Sequence, residues 1–208
     1  MYKEYNFIHL FFYNYYFKDE INMSKNKGKK FETQFKESSE KDKLFLLRLN
    51  DTDLSYNGNQ MSRFTPKNKF DFLLFKSPNL FCLELKSTAY DSFSIQRNPK
   101  EPNKMIKWHQ IQELIKASFY DGVYAGFVFN FRNEKQPLLE EETYYMSIKN
   151  FCNFLVENEK KSINKKEVQK YGGIIIEQKK KRVLYTYNIK KMLEDILDRE
   201  GTNGEKNF

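Results

Sequence analysis

Cysteine and histidine are almost missing from this chain, and the metals that favour them are excluded with them. Only Cys82 and Cys152, and His9 and His109, occur among the 208 residues. There is no CxxC pair, so a tetrahedral zinc set cannot be assembled from sequence neighbours. Two isolated cysteines in apolar surroundings fit small core residues in a reducing compartment, and a cytoplasmic location is expected. A long hydrophobic run is also lacking. The aromatic stretch Phe7 to Phe17 is shorter than a membrane span and broken by polar groups, so no membrane partner is expected. It leads into Lys18, Asp19 and Glu20 without a small-residue cleavage site, which argues against a secretory signal. Residues 1–22 are expected to be a non-native or disordered extension, with translation starting at Met23. An amphipathic anchor or interaction segment is the alternative for that stretch. No internal repeat is visible.

What the chain does have is positive charge. Lysine and arginine total 36 against 28 aspartates and glutamates, a formal charge of +8. Such a surface favours a polyanionic partner, because phosphate contacts release counterions and steer association. A composition rich in Lys, Asn, Ile, Phe and Tyr also arises from a skewed genome, so charge alone leaves the partner open.

Periodicity divides the chain into interleaved helices and strands. Lys29 to Lys41 is expected to be a helix, with Phe31 and Phe35 on one face. Leu44 to Leu49 reads as a buried strand, and the polar Asn50 to Lys69 as a loop or projecting element. Lys69 to Phe75 and Leu80 to Ser87 read as strands, and Ser87 to Asn103 as irregular chain. Lys104 to Tyr120 reads as a helix, Val123 to Phe131 and Tyr144 to Ile148 as strands, and Lys149 to Glu157 as a helix. A last helix is expected over Ile189 to Leu197, ending near Gly201. This alternation predicts an α/β fold with a central mixed sheet flanked by helices. The expected organisation is one domain over residues 23–200 and a disordered tail over 201–208.

The informative stretches are the two strands that carry charge, with Asp71 in the first and Glu84 and Lys86 in the second. Strand positions two apart share a face. Glu84 and Lys86 should therefore project side by side, while Phe81, Leu83 and Leu85 pack on the opposite side. Charge within a strand core is costly unless it is paired or holds a metal. Two carboxylates on neighbouring strands suit Mg²⁺, with Mn²⁺ as a substitute, and an adjacent lysine suits phosphodiester hydrolysis. Glu-x-Lys also occurs on ordinary solvent-facing strands, so the string by itself leaves a structural role open.

The order of these elements resembles a known family. Gly28-Lys-Lys-Phe-Glu32 opens the first helix, Phe64-Thr-Pro66 precedes Asp71, and Glu84-Leu-Lys86 is followed by His109-Gln-Ile111. This series, covering roughly Gly28 to Tyr145, resembles the bacterial and phage RecU Holliday-junction resolvases of the PD-(D/E)XK nuclease superfamily. The resemblance implies a restriction-endonuclease-like core and a Mg²⁺-dependent endonuclease acting in DNA recombination and repair. It also implies a homodimer whose two sites match a two-fold junction. Asp71, Glu84 and the Leu85 backbone carbonyl would be the metal ligands. Lys86 would act on the water or the transition state, Glu32 would complete the acidic cluster, and Gln110 would orient water or phosphate. Glu32 as a first-turn helix acid and Gln110 as a boundary polar residue are the alternatives.

Arg63, Lys67, Lys69, Arg97, Lys104 and Lys107 surround the expected site and are candidates for DNA backbone contacts. The stretch corresponding to the family's projecting stalk, about Asn50 to Arg63, is short. The cluster therefore points to phosphodiester cleavage more directly than to four-way junctions. A nuclease acting on other DNA substrates and a non-catalytic nucleic-acid-binding accessory protein are the two other readings.

Overall fold

The structure is a computed structural model that describes residues 27–49, 68–132, 140–182 and 184–201. Helix α1 spans residues 27–41. Strand β1 (Phe45–Arg48), β2 (Phe72–Lys76) and β3 (Asn79–Thr88) follow, then the short β4 (Ser92–Ser94) and helix α2 (Trp108–Ala117). Next come β5 (Val123–Phe131), β6 (Glu142–Ser147), α3 (Ile148–Glu157), β7 (Ser162–Asn164) and α4 (Lys165–Lys170). The chain continues through β8 (Ile174–Ile175), β9 (Gln178–Lys181), β10 (Leu184–Tyr187) and α5 (Ile189–Ile196), which runs into a π-helical turn at Leu197–Gly201.

Six strands form the central sheet in the order β1-β2-β3-β5-β6-β8. Among the described residues of this sheet, β3 and β5 pair in parallel and the other neighbours are antiparallel. A parallel pair needs a crossover, and the segment containing α2 supplies it. Alternation along the strands separates two apolar layers. One layer joins Cys82, Phe127 and Phe129 of the sheet to Ile111 and Leu114 of α2 and to Phe151 and Phe154 of α3. The opposite layer joins Phe81, Leu83, Leu85 and Val128 to Phe31 and Phe35 of α1 and to Ile189, Met192 and Ile196 of α5. The expected mixed sheet flanked by helices is therefore present, with α2 and α3 on one face and α1 and α5 on the other. Between β5 and β6 the backbones approach closely at Gly126, where a Cβ would lie 2.5 Å from the Met146 carbonyl oxygen. A larger residue there would push the two strands apart.

Four expectations need correction. The Leu44 to Leu49 strand is not buried. It forms the sheet edge, and Phe45 is 65% exposed. Ser87 to Asn103 is less irregular than its prolines indicate, because β4 pairs with β7 and buries Phe93 and Ile95 completely. Lys104 to Lys107 are not helical; Lys107 is the extended N-cap of α2, at φ −91° and ψ 146°. Asp71 precedes β2 rather than lying within it. Its amide still donates to the Leu83 carbonyl at 3.2 Å, and its carbonyl accepts from the Leu49 amide at 2.9 Å. The stalk-equivalent stretch lies outside the described residues.

Candidate active site

Glu84 is the centre of the site. It sits in β3 at 3% exposure, on the sheet face covered by α2. Two donors meet its Oε1. Lys86 Nζ lies 2.8 Å away, as the period-two spacing predicted, and Gln110 Nε2 donates from α2. A buried carboxylate of this kind is tolerable only when paired and hydrogen-bonded.

The first turn of α2 fixes Gln110. Its Oε1 accepts from the Lys107 amide at 3.0 Å, capping the start of the helix, while its Nε2 reaches Glu84. The start of the helix is braced by Gln96, a nearly buried residue with two partners. Its Oε1 accepts from the Trp108 amide at 3.0 Å and its Nε2 donates to the Glu101 carbonyl at 2.7 Å. The sequence reading missed Gln96, whose only signal was a polar residue next to the apolar Phe93 and Ile95.

Asp71 enters from the side of β2. Its Oδ2 accepts from the Leu85 amide at 2.8 Å, continuing the β2–β3 ladder by one side-chain rung after the strand pairing ends. Within a strand residue, N–H and C=O point to the same side. The Leu85 carbonyl is therefore also directed to the β2 side, at the point where β2 and β3 part. Glu32 approaches from α1. Arg48 of β1 donates to Glu32 Oε2. Burial raises the Glu32 pKa above the ordinary carboxylate range, and repulsion from Asp71 raises it further; the charges of Arg48 and Lys86 oppose this. Glu32 thus senses both Asp71 and Lys86.

A cavity of about 290 Å³ opens over these groups, lined by Asn68, Phe70, Asp71, Glu84, Lys107, His109 and Gln110. The structure brings together Glu32, Asp71, Glu84, Leu85, Lys86 and Gln110, with Lys107 at the cavity wall. His109 lines the same wall. Lys69 is exposed and lies 3.8 Å from Glu113 of α2. Lys104 is exposed ahead of α2. Arg97 is placed elsewhere: its guanidinium donates to the carbonyls of Leu155, Asn158 (2.5 Å) and Lys160 (2.9 Å), tying its loop to the end of α3. Arg63 and Lys67 lie outside the described residues.

No group of three or more His, Cys, Asp or Glu residues arranged to hold a metal occurs among the described residues. The groups that line the cavity include two carboxylates, Asp71 and Glu84. These are hard oxygen donors, which fit a divalent cation that keeps several of its waters. No helix among the described residues is long and apolar enough to cross a membrane.

Fold and site together define a mixed α/β protein with a carboxylate–lysine–glutamine cluster where two central strands separate. No family model matches the chain. It is 32% identical over 188 residues to the SPbeta prophage-derived uncharacterized protein YotM of Bacillus subtilis (strain 168), covering 84% of this chain and 89% of that protein. The chain belongs to the same family as YotM. Among solved structures, it matches that of Hjc, a Holliday junction resolvase from the archaeal hyperthermophile Archaeoglobus fulgidus, with a TM-score of 0.41 and 9% identity. That match covers 66% of this chain and 86% of Hjc.

Proposed function

We propose that this protein is a Mg²⁺-dependent endodeoxyribonuclease of the PD-(D/E)XK type, RecU-like, acting as a homodimer on Holliday junctions in recombination and repair. One observation carries the reading: buried Glu84 is held by Lys86 and Gln110 beside Asp71, which itself sits on the Leu85 amide. A purely structural ion pair has no need of the second carboxylate, the cavity or the glutamine brace.

Asp71, Glu84 and the Leu85 carbonyl are the groups that would hold the cation. When bound, it supplies Lewis-acid charge for the scissile phosphate and lowers the pKa of water. The chain's own residues do the rest. Lys86 keeps positive charge at the carboxylate and within reach of a developing oxyanion. Gln110 fixes the orientation of Glu84 from α2. Arg48 holds Glu32 against the repulsion of Asp71. Lys107 places a further cation on the cavity wall, where a phosphate would enter.

The test is a cleavage assay on a mobile four-way junction, a flap and a linear duplex, with and without Mg²⁺. Paired symmetric nicks on the junction, lost in Asp71→Ala and Glu84→Ala, are expected. Metal-dependent cutting of plain duplex alone would keep the chemistry and remove the junction preference. Binding without cutting under any divalent metal would leave an accessory DNA-binding protein.

A further inference from the structure

The opposite face of the sheet, at the same end, carries a second polar cavity of about 370 Å³. Its walls come from α1, the ends of β5 and β6, and the β9–β10 pair. Five cations line it: Lys27, Lys30, Arg132, Lys180 and Arg182. Gln34 of α1 also lines it and is 6% exposed, and its Nε2 is buried without a hydrogen-bond partner. A buried amide N–H without an acceptor is costly, and an incoming acceptor removes that cost.

Among the described residues, Glu141 is the one carboxylate in the lining. Its hydrogen bonds are satisfied within the protein. Its Oε1 accepts from Asn130 Nδ2 at 2.6 Å and from Tyr187 Oη at 3.1 Å, and burial raises its pKa. Among the described residues the cavity wall therefore carries more positive than negative charge, and one wall residue holds an unpartnered amide donor just beneath the surface, which together suit an oxyanion. It is also coupled to the first site. Arg132 donates to Ser87 Oγ at 2.7 Å, and Ser87 Oγ donates to Asn130 Oδ1 at 2.7 Å. Ser87 follows Lys86 directly and projects to the other face of β3.

We infer that this cavity is a phosphate site for the backbone of a nucleic-acid strand that crosses the end of the sheet, one face away from the carboxylate cluster. The inference rests on the nucleic-acid reading of that cluster, but its ligand chemistry is tested separately. Among the described residues, Lys69, Arg97, Lys104 and Lys107, expected from sequence to contact DNA, do not line this cavity.

In the intact protein, the Gln34 side-chain amide resonances report occupancy directly. They are expected to shift on addition of inorganic phosphate, and to shift at lower concentration with a metal-free oligonucleotide duplex. Comparing 5′-phosphorylated with 5′-hydroxyl duplexes separates a backbone phosphate from a terminal one; equal shifts are expected. In anisotropy titrations, Lys180→Gln with Arg182→Gln is expected to weaken duplex binding on the order of tenfold. It should also flatten the slope of log K against log salt by about two. Gln34→Leu, which keeps every charge, is expected to cost about fivefold. An unmoved Gln34 amide with both ligands overturns the site. A shift with free or terminal phosphate alone overturns its assignment to the backbone. If the wild type cuts DNA while the double variant binds it with unchanged affinity and slope, the inference fails and the nuclease reading stands. If the amide shifts with duplex and no cutting is found, the site stands and the nuclease reading fails.

Discussion

Two polar sites lie on opposite faces of one sheet end, and they balance their charge in opposite ways. On the α2 face, Glu84 is satisfied internally by Lys86 and Gln110, so the acidic cluster is stable before any ligand arrives. On the α1 face, the acid Glu141 is satisfied by Asn130 and Tyr187, while Gln34 Nε2 has no partner. On the proposed reading the first site gathers a cation and the second an anion. Both grow from consecutive residues of β3, Lys86 and Ser87, because a strand delivers neighbours to opposite faces.

The sharpest way to break this contrast is to remove the carboxylates of the first site. Asp71→Ala and Glu84→Ala are each expected to lower cleavage by on the order of 10³-fold, whereas Gln34→Leu should leave saturated turnover within a few-fold. Equal losses on both faces, measured under single-turnover conditions, would erase the distinction.

Stability separates the sites next. Lys86→Met strands a buried carboxylate and is expected to cost about 3–5 kcal/mol in denaturant unfolding. Glu84→Gln combined with Lys86→Met should recover most of that loss; a double variant as unstable as the sum would show that the pair is not coupled.

Ligand stabilisation should be selective. At about 100-fold excess over its dissociation constant, Mg²⁺ is expected to stabilise the wild type by about 2.7 kcal/mol, and Asp71→Ala should abolish this. A Tm that rises with Mg²⁺ in both proteins would place the cation elsewhere.

A smaller effect tests the brace. Gln110→Leu removes a donor to a buried carboxylate and the acceptor of the Lys107 amide, for an expected loss of about 1–3 kcal/mol and slower cleavage. Unchanged stability would show that Lys86 alone satisfies Glu84.

The smallest effect concerns pH on the α1 face. Burial raises the Glu141 pKa above its unfolded value, so the folded protein binds more protons than the unfolded one. Its stabilising contribution is complete below the ordinary carboxylate pKa and is lost as pH rises through the folded value. Glu200, pushed up to about 7 by burial, behaves in the same sense. The comparison therefore belongs in a Glu200→Gln background, where Glu141→Gln should flatten the remaining fall of Tm with rising pH. A slope that Glu141→Gln leaves unchanged would contradict the upward shift.

Much of the architecture was legible because it depends on short-range periodicity. Val123 to Phe131 is a strand with the expected bounds, and Phe31 and Phe35 share the buried face of α1. Phe45 and Leu47 misled because an apolar edge strand and a buried one have the same composition. Within the site, the juxtaposition of Glu84 and Lys86 followed from the two-residue repeat alone. Asn130, buried in an otherwise apolar strand, carried a signal of the same kind as Glu84, but the strand was read as continuously apolar. Arg97 resisted reading, since its partners are carbonyls 58 to 63 residues away.

By itself the sequence determined the alternation of elements, the pairing of a carboxylate with a lysine on one strand face, and the near absence of soft metal ligands. Only the tertiary structure decided that Gln110 reaches Glu84 across 26 residues, that Asp71 caps the Leu85 amide across 14, and that Gln34 faces a cationic cavity. The physical reason is range. Backbone periodicity aligns neighbours a few residues apart, while contacts between elements depend on how helices pack on the sheet and on where two strands part.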